Sequence, residues 1–370
     1  MKYIVIVPGY PNENDHYSNH FVHTRVRLYL ENGLDVVVFN YTTGPLQQYS
    51  YEDVTVYTGG RKAYKDFLAH NHFDKYLVHF GFKKILKPIL KLNNGVPIVM
   101  WVHGTEALGW YRRLFSFDIK RPYKLPAYIF RNTFQMLFMH KFIRQCKQVT
   151  YVFVSNWMKD ILEKDSFSVG KISNYRIIAN VVDEEKFPYK PKNESLRTKI
   201  LSIRPYSSRK YANDLMVAAI VLLSKEPFFD ALSFSIYGDG RLFDSVTKPL
   251  RGFKNVSLNK QFLTHEQIRE LHEQHGVMLI PTRQDAQGVS MCEAMCSGLV
   301  PVTSYNTAIP EFVTENAGYL TTNAQELANA IKELYLNPEL FMKKSKEAST
   351  LIMSKCSKAQ TTLRELELLK

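Results

Sequence analysis

The chain has 370 residues, 45% hydrophobic and 22% charged, with 48 Lys and Arg against 35 Asp and Glu and a formal net charge of +13. That length is more than one hydrophobic core usually supports, so two domains are expected. No run of about 18 uncharged apolar residues exists, which excludes a helix that spans a membrane. The charge asks for an anionic partner, and nucleic acid, an anionic membrane face and small anionic substrates all qualify. Cys146, Cys292, Cys296 and Cys356 lack CxxC spacing and fit a reducing compartment. A strand begins directly after Met1-Lys2, with no charged leader region and cleavage site, so a cytosolic location is expected.

In chain order, Tyr3–Val7, Val36–Asn40, Tyr76–Phe80, Ile98–His103, Thr150–Val154 and Arg176–Ala179 are short and apolar on both faces, the pattern of strands buried in a parallel sheet. A helical run, Phe21–Asn32, follows the first of them and ends at Gly33. The loop PGYPNENDHYSNHFVHTRV lacks GxGxxG, which argues against hydride transfer from a dinucleotide. Ser18, Asn19 and His20 sit at the start of that helix, where Ser18 is suited to be its N-cap. The fourth strand ends in WVHGTE, which places His103 at the carboxyl end of a parallel strand, where open α/β sheets bind ligands.

Residues 110–147 break the alternation. Nine cations (Arg112, Arg113, Lys120, Arg121, Lys124, Arg131, Lys141, Arg144, Lys147) are interleaved with aromatic residues, and Asp118 is the only acid. From about Pro126 the apolar residues Phe130, Phe134, Leu137 and Phe138 recur at helical spacing with basic residues on other faces. An interfacial helix has this character, with aromatics toward acyl chains and cations toward anionic lipid, at about 1 kcal/mol per cation. The competing reading is an aromatic core helix with a solvated basic face. Ser155 then caps a helix after the strand VFV, and PYKPKNES (Pro188–Ser195) has the composition of a domain linker.

A second alternation follows: Lys199–Ile203, Ser233–Tyr237, Val277–Pro281 and Val300–Thr303. Arg204 ends its first strand, with Arg209 and Lys210 close behind; Gly238-Asp239-Gly240 ends the next. The most informative stretch is Pro281–Ser304, PTRQDAQGVSMCEAMCSGLVPVTS: strand, polar loop, Ala/Met/Cys-rich helix, Ser297-Gly298 and strand. Gly288-Val289-Ser290 lets a ligand approach the backbone and opens a helix whose free N–H groups attract an anion. With Asp285 before it and Glu293 within the helix, this layout suits a sugar nucleotide held by sugar, diphosphate and ribose. Cys292 and Cys296 read as small core residues behind that site.

The spacing of Asp285 and Glu293 resembles the E-x7-E signature of retaining glycosyltransferases of the GT-B fold, family 4 (glycosyl transferases group 1), here as D-x7-E with EAM, SG and PV in register. Other segments are similar to the same family. RIIANVVDEEKF resembles its hinge at Asn180, Asp183 and Phe187, with Val181 for glycine. RPYSSRK resembles its diphosphate-binding "GR…K", in which Arg209 has the strict lysine spacing and Lys210 needs one inserted residue. YGDG resembles its "GdG" turn, and TAIPE its "gGipE" loop, with Thr307-Ala308 for the glycines.

The resemblance implies an α/β, GT-B architecture: two Rossmann-like domains facing each other across a cleft, with a C-terminal helix returning to the first. The expected domains are 1–187 for the acceptor, 188–350 for the nucleotide sugar, and the returning helix 351–370. It implies catalytic roles for His103, Asp285, Arg204 and Lys210. Arg204, Arg209, Lys210, Gly238, Gly240, Asp285, Gly288, Val289, Ser290 and Glu293 are implied to bind the donor, and Ser18, Asn19 and His20 the acceptor. The implied reaction is metal-independent and cofactor-free transfer, with retention, of a hexose from a UDP- or GDP-linked sugar to a glycan, lipid-linked in surface polysaccharide assembly. Docking of 110–147 would then hold the enzyme on the inner face of the cell membrane, with no nucleic-acid partner. The alternatives are a nucleotide-sugar 2-epimerase of similar shape and a basic nucleic-acid-binding protein.

Overall fold

The structure is a computed structural model, and it describes residues 1–16, 18–117 and 123–369; Asp118, Lys120 and Arg121 of the basic segment lie outside the described residues. The chain divides into two compact units, Met1–Val181 with Thr362–Lys370, and Val182–Thr361.

The first unit contains β1 (Lys2–Val7), α1 (His20–Glu31), β2 (Asp35–Tyr41), β3 (Gln47–Tyr51), β4 (Val54–Gly59), α2 (Arg61–His70), β5 (Lys75–His79) and α3 (Lys83–Leu92). It continues with β6 (Ile98–Val102), α4 (Lys124–Gln145), β7 (Val149–Phe153), α5 (Asn156–Asp165) and β8 (Tyr175–Ile177). These strands form one eight-stranded sheet in the order β3-β4-β2-β1-β5-β6-β7-β8. Every pair is parallel except β3 with β4. The central strands are buried on both faces, so their side chains run as continuous Val/Ile/Leu stretches. The β3–β4 hairpin was not legible in the sequence. Its two-residue turn is Glu52-Asp53, at φ 44° and 64°. This is the left-handed geometry that Asn-Gly normally supplies, so the turn signal was missing.

In α4 the buried face is Asn132, Gln135, Met136, Met139, Phe142 and Ile143. Phe130, Phe134 and Leu137 are exposed, at 65%, 45% and 54%. The aromatic-core reading of this helix fails for these three residues, because Met136, Met139, Ile143 and two amides fill most of the inward side, with Phe142 its buried aromatic. At α1 the cap is Asn19, at φ 50° with no side-chain hydrogen bond to the helix, and not Ser18. Asn19 Nδ2 instead donates to the carbonyls of Pro8 and Gly9 at 3.3 and 3.0 Å, tying the helix start to the first loop.

The second unit contains β9 (Lys199–Ile203), α6 (Asn213–Leu223), β10 (Ser233–Tyr237), α7 (Phe243–Thr247), β11 (Val256–Asn259), α8 (His265–Gln274) and β12 (Val277–Leu279). It continues with α9 (Val289–Cys296), β13 (Val300–Ser304), β14 (Tyr319–Thr321), α10 (Ala324–Leu336), α11 (Pro338–Cys356) and the start of α12 (Lys358–Leu369). Its six strands are all parallel, in the order β11-β10-β9-β12-β13-β14. The short, half-polar edge strands β11 and β14 carry too few apolar residues to be recognised by pattern. Residues 188–195 pack onto this unit and do not form a free linker: Lys192 is buried and donates from Nζ to the His272 carbonyl.

From Thr362 onward α12 belongs to the first unit. There Glu365 accepts from Arg25 Nε at 2.7 Å and from the Tyr29 hydroxyl at 2.5 Å. Arg25 also donates to Asn180 Oδ1 at 2.9 Å, and both charged residues are buried. Removing one partner of such a pair leaves a bare charge in the core.

Candidate functional site

In the second unit, Arg204 extends from the end of β9. Its guanidinium is buried; Nη2 donates to the Pro281 carbonyl at 3.4 Å, and Nε is buried with no hydrogen-bond partner. Among the described residues Arg204 forms no ion pair within 4 Å, although Asp285 attracts it at longer range. Burial lowers its pKa, since a guanidinium removed from water without a close counter-ion is costly. The Arg204 guanidinium and Lys210 Nζ lie 4.9 and 5.5 Å from the centroid of the same Tyr211 ring. Arg209 is exposed, and its carbonyl accepts from Arg283 Nη1 at 2.7 Å. Arg283, not singled out in the sequence, also makes a bidentate pair with Asp214 at 2.8 and 2.6 Å, which fixes the loop carrying both candidates for the lysine slot.

The loop from Pro281 to Gly288 is tied down at Asp285. Its Oδ1 accepts from Gly288 N at 3.0 Å, its backbone N donates to Thr307 Oγ1 at 3.0 Å, and its carbonyl accepts from Ala308 N at 3.3 Å. Thr307 stands at φ 50°, so the position filled by glycine in the family pattern keeps the left-handed backbone with a side chain. Part of the Asp285 carboxylate is thus committed to shaping its own loop.

Gly288, at φ 81°, opens α9, and an added Cβ would lie 3.2 Å from Ile309 Cδ1. The first N–H groups of a helix have no intrahelical acceptor, so those at Val289 and Ser290 are available to an anion. α9 is held from behind by α11: Ser349 Oγ donates to the Cys296 carbonyl at 2.8 Å and Ser345 Oγ to the Gly298 carbonyl. Cys292 and Cys296 are buried thiols in that interface.

Glu293 is half-buried on α9, and no hydrogen bond to its carboxylate exists among the described residues. Burial pushes its pKa up to about 8; Asp183 adds to the rise and Lys186 opposes it. Asp183 is engaged elsewhere, accepting from Glu185 N and Lys186 N and pairing with Lys358 at 3.0 Å. Gly238 and Gly240 are required by the packing of the turn itself. They stand at φ 151° and 137°, and added Cβ atoms would lie 1.9 Å from the Arg204 carbonyl oxygen and 2.4 Å from the Tyr206 carbonyl carbon. They let the β10 turn press against the loop that carries Arg204, where Tyr206 N donates to the Asp239 carbonyl at 2.7 Å.

In the first unit, His103 follows β6. Its backbone N and that of Gly104 donate to the two carboxylate oxygens of Glu106 at 2.6 and 3.0 Å. Glu106 is buried, and burial raises its pKa to about 7 against these bonds. His103 Nε2 lies 3.0 Å from His79 Nδ1, and the two rings stack at 5.2 Å. Burial, and for His79 the neighbouring His103, hold both pKa values well below the usual imidazole range. A neutral His103 offers a hydrogen bond and no positive charge. Ser18 and Asn19 lie against Gly9, whose added Cβ would be 2.9 Å from Ser18 Oγ and 3.0 Å from Asn19 Nδ2; His20 begins α1. His79 and Arg25 gave no signal in the sequence, because each acquires its role from a residue on another element; Glu106 acts within the WVHGTE segment itself, on the amides of His103 and Gly104.

Residues 197–337 match the family described as Glycosyl transferases group 1. No curated protein matches the sequence. Among solved structures, the chain is similar to sucrose-phosphate synthase from Thermosynechococcus elongatus, with a TM-score of 0.76 and 14% identity over 100% of this chain and 98% of that one. It is similar to HepE from Anabaena, solved with UDP and glucose, at 0.73 and 13% over 100% and 99%. TarM from S. aureus, solved with fondaparinux, α-GlcNAc-glycerol and UDP, gives 0.68 and 13% over 100% of both chains. The full-length likeness identifies the fold as GT-B, and the second unit carries the group 1 glycosyl transferase match.

Proposed function

We propose that this chain is a retaining glycosyltransferase that moves a hexose from a UDP- or GDP-linked sugar to a glycan acceptor, lipid-linked and used in bacterial surface polysaccharide assembly. The observation that carries this reading is the buried Arg204: a guanidinium without a close counter-ion, with Lys210 beside it on the Tyr211 ring. Such a group is stabilised by an anion, and a diphosphate suits its forked donors.

In this reading Arg204, Lys210 and the amides opening α9 stabilise the charge that develops on the departing diphosphate. The bond from sugar C1 to the phosphate oxygen breaks. The acceptor oxygen bonds to C1 on the same face, and its proton passes to the leaving phosphate. With protein cations neutralising the phosphate, no resident metal is called for. Asp285 would receive hydrogen bonds from sugar hydroxyls and Glu293 from the ribose diol. His103 would bond a sugar hydroxyl as a neutral imidazole, and Ser18 and His20 would meet the acceptor. The exposed Phe130, Phe134 and Leu137 among cations support reversible docking on an anionic membrane, which would place the enzyme on its inner face.

A thermal-shift panel of UDP-, GDP- and ADP-sugars tests this. A donor at a hundred times its dissociation constant should add about 2.7 kcal/mol, a gain that Arg204→Ala should abolish. No shift with any sugar nucleotide would overturn the reading, and epimer formation without acceptor would replace transfer by 2-epimerisation.

A further inference from the structure

Two adjoining cavities lie in the first unit, and of their linings only Phe134 and Leu137 enter the proposed function by name, as part of the membrane-docking face. The first, about 820 Å³, lies between α2, α3 and α4; eight Lys and Arg side chains line it, including Arg61, Lys83, Lys84, Lys87, Arg113 and Arg131, and no acidic one does among the described residues. None of the eight forms an ion pair within 4 Å among the described residues. The second, about 890 Å³, shares Lys83 and Lys87 with it and runs on between α3 and α4, where Ile89, Leu90, Phe134, Leu137 and Phe138 give it an apolar wall; Lys141 and Lys147 line it as well.

The basic cavity has a fixed frame. Asn132 Oδ1 accepts from Trp110 N at 2.7 Å and its Nδ2 donates to the Leu108 carbonyl at 2.8 Å. Gln135 accepts from Lys83 N at 2.9 Å and donates to the carbonyls of Gly81 and Glu106. These buried amides clamp α4 to the loops after β5 and β6. Arg61 and Lys83 begin α2 and α3, so the positive ends of two helices add to the side-chain charge. Thr105, on the wall, is close in sequence to His103, so the cavity opens at the carboxyl end of the sheet.

So many like charges around one hollow repel one another, and a multiply charged anion relieves that repulsion. A soluble sugar phosphate would use the basic cavity alone. A basic hollow that continues past two shared lysines along an apolar wall fits one molecule with a charged head and a long hydrocarbon chain. We propose that they bind the head and first hydrocarbon units of a prenyl or long-chain alkyl phosphate or diphosphate. Calling that amphiphile the carrier end of the acceptor rests on the transferase reading; the binding does not.

The test is calorimetric titration of the full chain, without any sugar donor, with monomeric farnesyl phosphate, inorganic phosphate and farnesol. Farnesyl phosphate should bind about tenfold or more tightly than either of the others. Lys83→Ala with Lys87→Ala should weaken it about tenfold at unchanged melting temperature, and Leu137→Asp should weaken it while leaving inorganic phosphate within about twofold. Equal affinity for inorganic and farnesyl phosphate, or indifference to the lysine changes, would overturn the proposal. So would binding to phosphatidylglycerol vesicles with none to the monomeric lipid, which would assign the face to a bilayer. Tight farnesyl phosphate binding by a chain that no sugar nucleotide stabilises would refute the transferase reading alone.

Discussion

Arg204 and Lys210 hold their cationic groups over one aromatic ring, 4.9 and 5.5 Å from the centroid of Tyr211. The ring positions two charges that could otherwise move apart, and it does so without neutralising them.

The lysine slot left open by spacing is settled by activity. Lys210→Ala should lower kcat/KM about 10- to 100-fold, the equivalent of roughly 1.5–3 kcal/mol for a charged hydrogen bond. Arg209→Ala should cost less than about threefold, because its exposed side chain lies off the ring and its backbone serves Arg283. Steady-state rates of the two variants with a common donor check this, and the reverse order would move the slot to Arg209.

Gly238→Ala should destabilise the second unit by about 3 kcal/mol or more, because the new Cβ meets the Arg204 carbonyl oxygen, a backbone atom that cannot swing away. Urea unfolding of wild type and variant reads the change in midpoint. A shift within error would mean that the β10 turn does not press on that loop.

Glu293 carries a pH signature. Its folded pKa is raised from 4.5 to about 8, so the native state binds its proton more tightly than the unfolded chain. This contribution is therefore full below about pH 4.5 and is lost as pH rises through about 8. Glu293→Gln removes that loss, so at pH 8.5 the variant should be more stable than wild type by about 1–3 kcal/mol, the partly exposed position keeping it below the full shift. At pH 4.5 the two should agree. Equal stability at both pH values would show that the carboxyl titrates as in water.

Arg25→Ala should cost about 3–5 kcal/mol, since it strands the buried Glu365 carboxylate, which would keep only the neutral donors Tyr29 Oη and, at 3.4 Å, Trp101 Nε1 among the described residues. Arg25→Met combined with Glu365→Leu should recover much of that loss. Thermal denaturation of the two variants separates the cost of a bare charge from the worth of the pair.

The sequence by itself determined the elements whose patterns are local. Continuous apolar runs marked β1, β6 and β9, a cap residue marked the start of α5, and glycine followed by small residues marked α9 with Asp285 and Glu293 around its opening. Where a conformation came from unusual residues the pattern failed: Glu52-Asp53 turns a hairpin without glycine, and Asn19 caps α1 without a side-chain bond. Only the tertiary structure decided that Gly238 and Gly240 press against the Arg204 loop, that Arg204 is buried without a close counter-ion among the described residues, and that His79 meets His103. The same holds for the basic cavity, whose cations come from α2, α3, α4 and the loop before it. Periodicity and turn chemistry are written in neighbouring residues. Charge, burial and pKa depend on groups brought together from distant parts of the chain, as Arg25 and Glu365 are.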